Sequence, residues 1–146
     1  MNQAIENFIQ SKRVAVVGAS RTGKKFGNAI ATELKQRGYE VFLVHPTAEE
    51  IGGEHCYANL AALQGKVDGV LICVPPQATA QMLREAVEIG VKNIWLQQGA
   101  QSAEALALAR ELGVTPVNGK CILMYAPPVK SIHGFHRAVV KVFGQL

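Results

Sequence analysis

The stretch "RVAVVGASRTGKKFG", Arg13 to Gly27, decides the fold. Its apolar head, Val14 to Val17, is continuous and not alternating, which suits a strand covered on both faces. Glycines at 18, 23 and 27 and cations at 21, 24 and 25 then surround a turn. Beyond it Phe26, Ile30 and Leu34 recur at four-residue spacing, the stripe of a helix with one buried side. A buried strand, a glycine-rich turn and an amphipathic helix, in that order, open a parallel α/β sheet.

The same cadence continues down the chain. Valine- and isoleucine-rich runs start at 14, 40, 68, 93 and 114 ("VAVVG", "EVFLV", "DGVLICV", "NIWL", "VTPV"). Their starts are 26, 28, 25 and 21 residues apart, room for a crossover helix between parallel strands. Leu83 and Val87, and Ala105, Ala109 and Leu112, mark two of those helices. Gly38, Gly90 and Gly113 read as left-handed caps, Pro76 as a first helical residue, and Ser102 as an N-cap. Residues 3 to 10 read as a leading helix and "SIHGFHRAVVKVFG" as a closing one, with Ile132, Phe135, Val139, Val140 and Phe143 inward. The stretch "TAEEIGGEHCYANLAAL", Thr47 to Leu63, is the least regular connection. The expected fold is a doubly wound α/β domain with a mainly parallel five-stranded sheet, strand order 3-2-1-4-5, over residues 1–146.

Composition narrows the function classes. Hydrophobic residues make up 49% and charged residues 18% of the chain, a globular balance. The net charge of +4 is modest and its cations are scattered outside the opening turn, so nucleic acid is not an expected partner. Three cysteines, Cys56, Cys73 and Cys121, make no disulfide framework or zinc knuckle. No apolar run approaches ~18 residues and the start lacks a basic n-region, so a cytoplasmic protein without membrane attachment is expected.

The turn from Gly18 to Lys25 is built for phosphate. At the carboxyl edge of a doubly wound sheet it lies where ligands bind, and the backbone N–H groups that start the next helix face that crevice. Glycines let the chain approach, while Ser20 and Thr22 add hydroxyl donors. A dinucleotide fingerprint has its second glycine where this chain has Ala19, and an acid where the second strand ends His45-Pro46. NAD thereby loses its ribose anchor. NADP could place its 2′-phosphate on Arg21, and coenzyme A could use Arg21, Lys24 and Lys25. A P-loop is excluded, because Lys24 is followed by Lys25 and not by a magnesium-binding Ser or Thr.

Taken in order, "VAVVGAS", "VHP", "VDGVLICVPP", "IWLQQGAQSAEALALARELGV" and "NGKCILM" resemble the CoA-binding domain family, the Rossmann-like module also found in the α subunit of succinyl-CoA synthetase. The resemblance spans about Val14 to Met124. It implies phosphates on Gly18, Ala19, Ser20, Arg21, Thr22, Gly23, Lys24 and Lys25, adenine and ribose near His45 and Pro46, and a third-strand edge lined by Cys73, Val74 and Pro75. The synthetase subunit carries a basic residue in the loop after its second strand, where this chain has Glu49-Glu50. It also has a second domain with a phosphorylated histidine, which this chain is not expected to supply.

Other chemistry-bearing residues read as structural. His133, His136 and Arg137 share a helix face without a carboxylate, His55-Cys56 are adjacent in a loop, and Cys73 and Trp95 read as buried strand residues. No catalytic group and no metal site is nominated. The expectation is a protein that binds coenzyme A or an acyl-CoA without catalysis of its own. An NADP-dependent oxidoreductase and a partner-binding protein with a vestigial nucleotide site are the alternatives.

Overall fold

Valine, isoleucine and leucine fill the strands because both faces of the sheet are covered. The computed structural model describes residues 3–19 and 26–127. Helix α1 (Gln3–Ile9) leads into β1 (Arg13–Val17), α2 (Phe26–Gln36) and β2 (Glu40–Val44). A hairpin of β3 (Glu50–Ile51) and β4 (Glu54–Tyr57) follows, then a 3-10 turn (Leu60–Leu63) and β5 (Gly69–Ile72). The chain continues through α3 (Pro76–Glu88), β6 (Asn93–Gln97), α4 (Ala103–Leu112), β7 (Val117–Lys120) and a second 3-10 turn (Ile122–Met124).

These strands form one sheet of seven, in the order β3-β4-β2-β1-β5-β6-β7. Every pairing is parallel except β3 with β4. Successive residues of the central strands face opposite layers. Val14, Val16, Leu71 and Trp95 pack against α1 and α2, whereas Ala15, Val17, Val70, Ile72 and Leu96 pack with Leu83, Ala86, Ala105 and Ala109 of α3 and α4.

Two sequence expectations are corrected here. The sheet has seven strands and not five, and the five expected runs lie in the order 2-1-3-4-5, because the run at 68 joins β1 through Val14↔Gly69 to Val17↔Ile72. The missing strand is β4, inside the stretch read as an irregular connection. It pairs parallel to β2 through Leu43↔Cys56 and Val44↔Tyr57. With β4 counted third, the six main strands take the 3-2-1-4-5-6 order of a Rossmann sheet. Gly52 and Gly53, at φ 57° and 82°, make the tight turn that folds β3 onto β4. Positive φ at both central residues is the type I′ requirement.

The helix signals hold in detail. Ser102 Oγ accepts from the Ala105 N–H at 3.0 Å, and Pro76 opens α3. At the end of α4 the N–H groups of Gly113 and Val114 bond to the carbonyls of Arg110 and Ala109, a closure that needs Gly113 at φ 75°. Val114 is consumed by that cap, and Pro116 has no N–H to give a ladder, so β7 starts at Val117 and not at 114. Phe26 departs from the expected stripe. Ile30 and Leu34 are buried, but Phe26 is 55% exposed, because the first turn of α2 lies over Gly18, past the end of β1. The expected closing helix at 131–144, with His133, His136 and Arg137, falls outside the described residues.

Candidate functional site

The carboxyl edge of the sheet is assembled by register. Val17 is level with Ile72, and Ile72 with Leu96, so the next residues, Gly18, Cys73 and Gln97, form a row that Gln97↔Lys120 extends to β7. The Cys73 N–H bonds to the Val17 carbonyl at 2.8 Å, closing the switch point where strand order reverses between β1 and β5.

Gly18 can be nothing else. Its φ is 124°, and a Cβ there would stand 2.1 Å from the Cys73 carbonyl oxygen. Gly27 is nearly as constrained, since a Cβ on it would meet the Gly18 carbonyl oxygen at 2.7 Å. These two contacts seat the first turn of α2 directly on the end of β1, beside the switch point. Ala19, at the place of the fingerprint's second glycine, is buried within the core shared with Ile30 and Ala31. Its methyl therefore faces inward. Ser20, Arg21, Thr22, Gly23, Lys24 and Lys25 lie outside the described residues.

On the β2 side, His45 is held by three bonds. Its backbone N–H donates to the Tyr57 carbonyl at 2.9 Å, and its Nδ1 accepts from the N–H groups of Thr47 (3.1 Å) and Ala48 (2.9 Å). With that lone pair occupied, the ring proton sits on Nε2, which is left as a donor. A fixed donor is the opposite of the carboxylate that accepts from a ribose diol. Pro46 beside it is exposed, and so are Glu49 and Glu50.

On the β5 side, Cys73 lies one residue beyond the strand and is half-buried, where the sequence led us to expect a buried strand position. Val74 packs against the α3–α4 layer, and Pro75 precedes α3 at φ −56°. His55 and Cys56 separate. They are consecutive on β4, with His55 exposed and Cys56 buried, so the alternation of the strand sends them to opposite faces. Burial and the carboxylates of Glu50 and Glu54 push the Cys56 thiol up. Trp95 is core, as expected, and its Nε1 donates to the Lys120 carbonyl at 2.9 Å.

Sequence reasoning missed Gln97 and Thr79. Gln97 is 1% exposed, its Oε1 accepts from the Ile122 N–H at 3.0 Å, and its Nε2 has no hydrogen-bond partner among the described residues. The signal was an amide closing the apolar run "NIWLQ". Thr79 is also buried, and its Oγ1 donates at 2.6 Å to the Ala100 carbonyl, tying the loop after β6 to α3. Nothing local in "PQATAQ" marks that bond. Among the described residues, no helix is long and apolar enough to cross a membrane.

A family model described as a CoA binding domain matches residues 12–127, which includes every strand. The chain is 30% identical over 122 residues to an ADP-forming acetate–CoA ligase of Archaeoglobus fulgidus, covering 75% of this chain and 18% of that one. It is 29% identical to the Bacillus subtilis protein YneT, covering 81% of this chain and 88% of its relative. A conserved hypothetical protein from Pyrococcus furiosus has a similar structure, with a TM-score of 0.72 and 40% identity over 76% of this chain and 96% of that one. The chain thus spans about a fifth of the Archaeoglobus ligase but most of the two shorter proteins.

Proposed function

The chain belongs to the CoA-binding domain family, and on that premise we propose that its carboxyl edge binds coenzyme A or an acyl-CoA, as binding and not turnover. The observation that carries the reading is the double glycine contact, Gly18 against Cys73 and Gly27 against Gly18, which packs the end of β1 tightly on β5 and lets the first turn of α2 close onto it, so that a helix N-terminus stands at the strand end. The pyrophosphate would lie on the turn from Gly18 to Lys25. Adenosine would rest on the β2 side against His45 and Pro46, and the pantetheine arm on the β5 side along Cys73, Val74 and Pro75.

Two features support CoA over a nicotinamide dinucleotide, and a third supports binding over turnover. His45 presents a donor where a ribose diol needs an acceptor. Arg21, Lys24 and Lys25 supply cations for a ligand that carries a 3′-phosphate besides its pyrophosphate. The separation of His55 and Cys56 removes the nucleophile–base pair that the sequence raised. The inward methyl of Ala19, by contrast, argues neither way.

Calorimetry with CoA, NAD and NADP tests the reading, and CoA is expected to bind best. Replacing Arg21 and Lys24 together with alanine should weaken CoA about tenfold, which needs only about 1.4 kcal/mol. Sheltered charged hydrogen bonds supply about 1.5–3 kcal/mol each. A loss confined to CoA and absent with dephospho-CoA would put the cations on the 3′-phosphate, whereas equal losses would put them on the pyrophosphate. Tighter binding of NADP, or oxidation of NADPH with a carbonyl substrate, would overturn the proposal.

A further inference from the structure

The row Gly18, Cys73, Gln97 and Lys120 crosses three strand spacings, or ~14 Å, from the phosphate turn to the far strand. The pantetheine arm is about twelve bonds long, the length of about four extended residues or ~14 Å. Adenosine occupies the β2 side in the reading above, so the arm must run the other way, over β5 and β6 toward β7. Its thiol then arrives at the residue that follows β7, which is Cys121.

Cys121 is half-buried, and its backbone is held on both sides. The Lys120 carbonyl accepts from Trp95 Nε1 and, at 3.1 Å, from the Gln98 N–H, while the Ile122 N–H donates to Gln97 Oε1. The other end of that same planar amide, Gln97 Nε2, is buried and has no partner among the described residues. A buried donor of this kind costs free energy until an acceptor reaches it. The arm carries two amide carbonyls that can. The remaining thiols are in the wrong places: Cys73 stands beside Gly18, at the pyrophosphate end, and Cys56 is buried on β4, on the adenosine side.

We propose that Cys121 exchanges with the disulfide of coenzyme A bound along this row, so that the site captures CoA as a mixed disulfide. The Cys121 sulfur, giving up its proton, attacks one sulfur of the CoA disulfide. The old S–S bond breaks as the new one forms, and the second CoA leaves as a thiol carrying that proton. Oxidation state is conserved, so no further oxidant is needed, and any free thiol reverses the step.

The proposal rests on CoA binding, and its test keeps the two apart. The reduced chain is treated with CoA disulfide, or with glutathione disulfide at equal concentration, and followed by intact mass and peptide mapping, with CoA affinity measured separately by calorimetry. One adduct is expected, on Cys121, forming at least about tenfold faster with CoA disulfide because binding holds the reacting sulfurs together. Cys121→Ser should take up no adduct from either disulfide. An adduct on Cys73 or Cys56, or equal rates with the two disulfides while CoA binds normally, would overturn the exchange and leave the binding reading standing. Failure of CoA to bind in calorimetry would overturn both.

Discussion

The two edges of the sheet use polar groups in opposite ways. At the amino edge they satisfy one another. Arg13 grips Asp68 through Nε (3.2 Å) and a terminal nitrogen (2.9 Å), Asn93 Nδ2 donates to the Asp68 carbonyl, and the Tyr39 hydroxyl donates to the Ile9 carbonyl at 2.7 Å. The Arg13 guanidinium holds the Asp68 carboxyl below the usual carboxylate range. At the carboxyl edge, two glycines let α2 and β5 pack closely on the end of β1, His45 keeps a ring donor, and the buried Gln97 Nε2 has no partner among the described residues. The paired groups of the first edge stabilise the fold, and the unpaired donors of the second support the proposal that the ligand binds there.

Substitutions should separate the two edges, and the largest effect belongs to Gly18→Ala. Its new Cβ would meet backbone on a strand that cannot move, at a φ that L-residues avoid. A loss of about 4 kcal/mol in denaturant unfolding is expected, together with loss of CoA binding. Unchanged stability would mean that the β1–β5 approach is looser than described.

Tyr39 gives the next largest effect, and it lies at the amino edge. Burial pushes its hydroxyl up to about 12 from 10. A raised folded value stabilises fully below the unfolded pKa and is lost as pH rises through the folded one, so the window is pH 10 to 12. About 2 units correspond to about 2.7 kcal/mol. Tyr39→Phe should flatten the stability profile across that window, cost about 1 kcal/mol at pH 8 for the lost hydrogen bond, and leave CoA affinity unchanged. A change in affinity would break the division between the edges.

Asp68→Asn should have the smallest effect. The pair is over a third exposed on both sides, and solvent screens it. Because the Asp68 pKa is lowered in the fold, its contribution is present above the unfolded carboxylate range and lost as pH falls through the folded value. The variant should therefore differ slightly from the parent at pH 7 and converge with it in strong acid, as read by thermal unfolding.

How much of this was legible follows the range of each signal. The continuous apolar runs, Ser102, Pro76 and the glycine caps act within a few residues, and each was readable where it stands. The order of the strands was not, because β4 is only "EHCY", with two exposed residues, and its place beside β2 comes from pairing across the sheet. Gly52-Gly53 was the local clue. Within the site, the sequence led to Gly18 and His45, yet the bonds that define His45 depend on a turn two and three residues ahead. Gln97 acquires its meaning from Ile122, which lies 25 residues away, and Thr79 from Ala100, which lies 21 away. Phe26 fitted the helical period, but period alone does not say where the sheet beneath a helix ends.

The contrast between the edges can be read in one titration. Amide chemical shifts of the isotope-labelled chain, followed as CoA is added, should move most at Gly18, Ala19, His45, Cys73, Gln97 and Gln98, and stay still at Arg13, Asp68 and Asn93. Shifts concentrated at the amino edge, or none at either edge with CoA in excess, would contradict the assignment of the carboxyl edge as the CoA site.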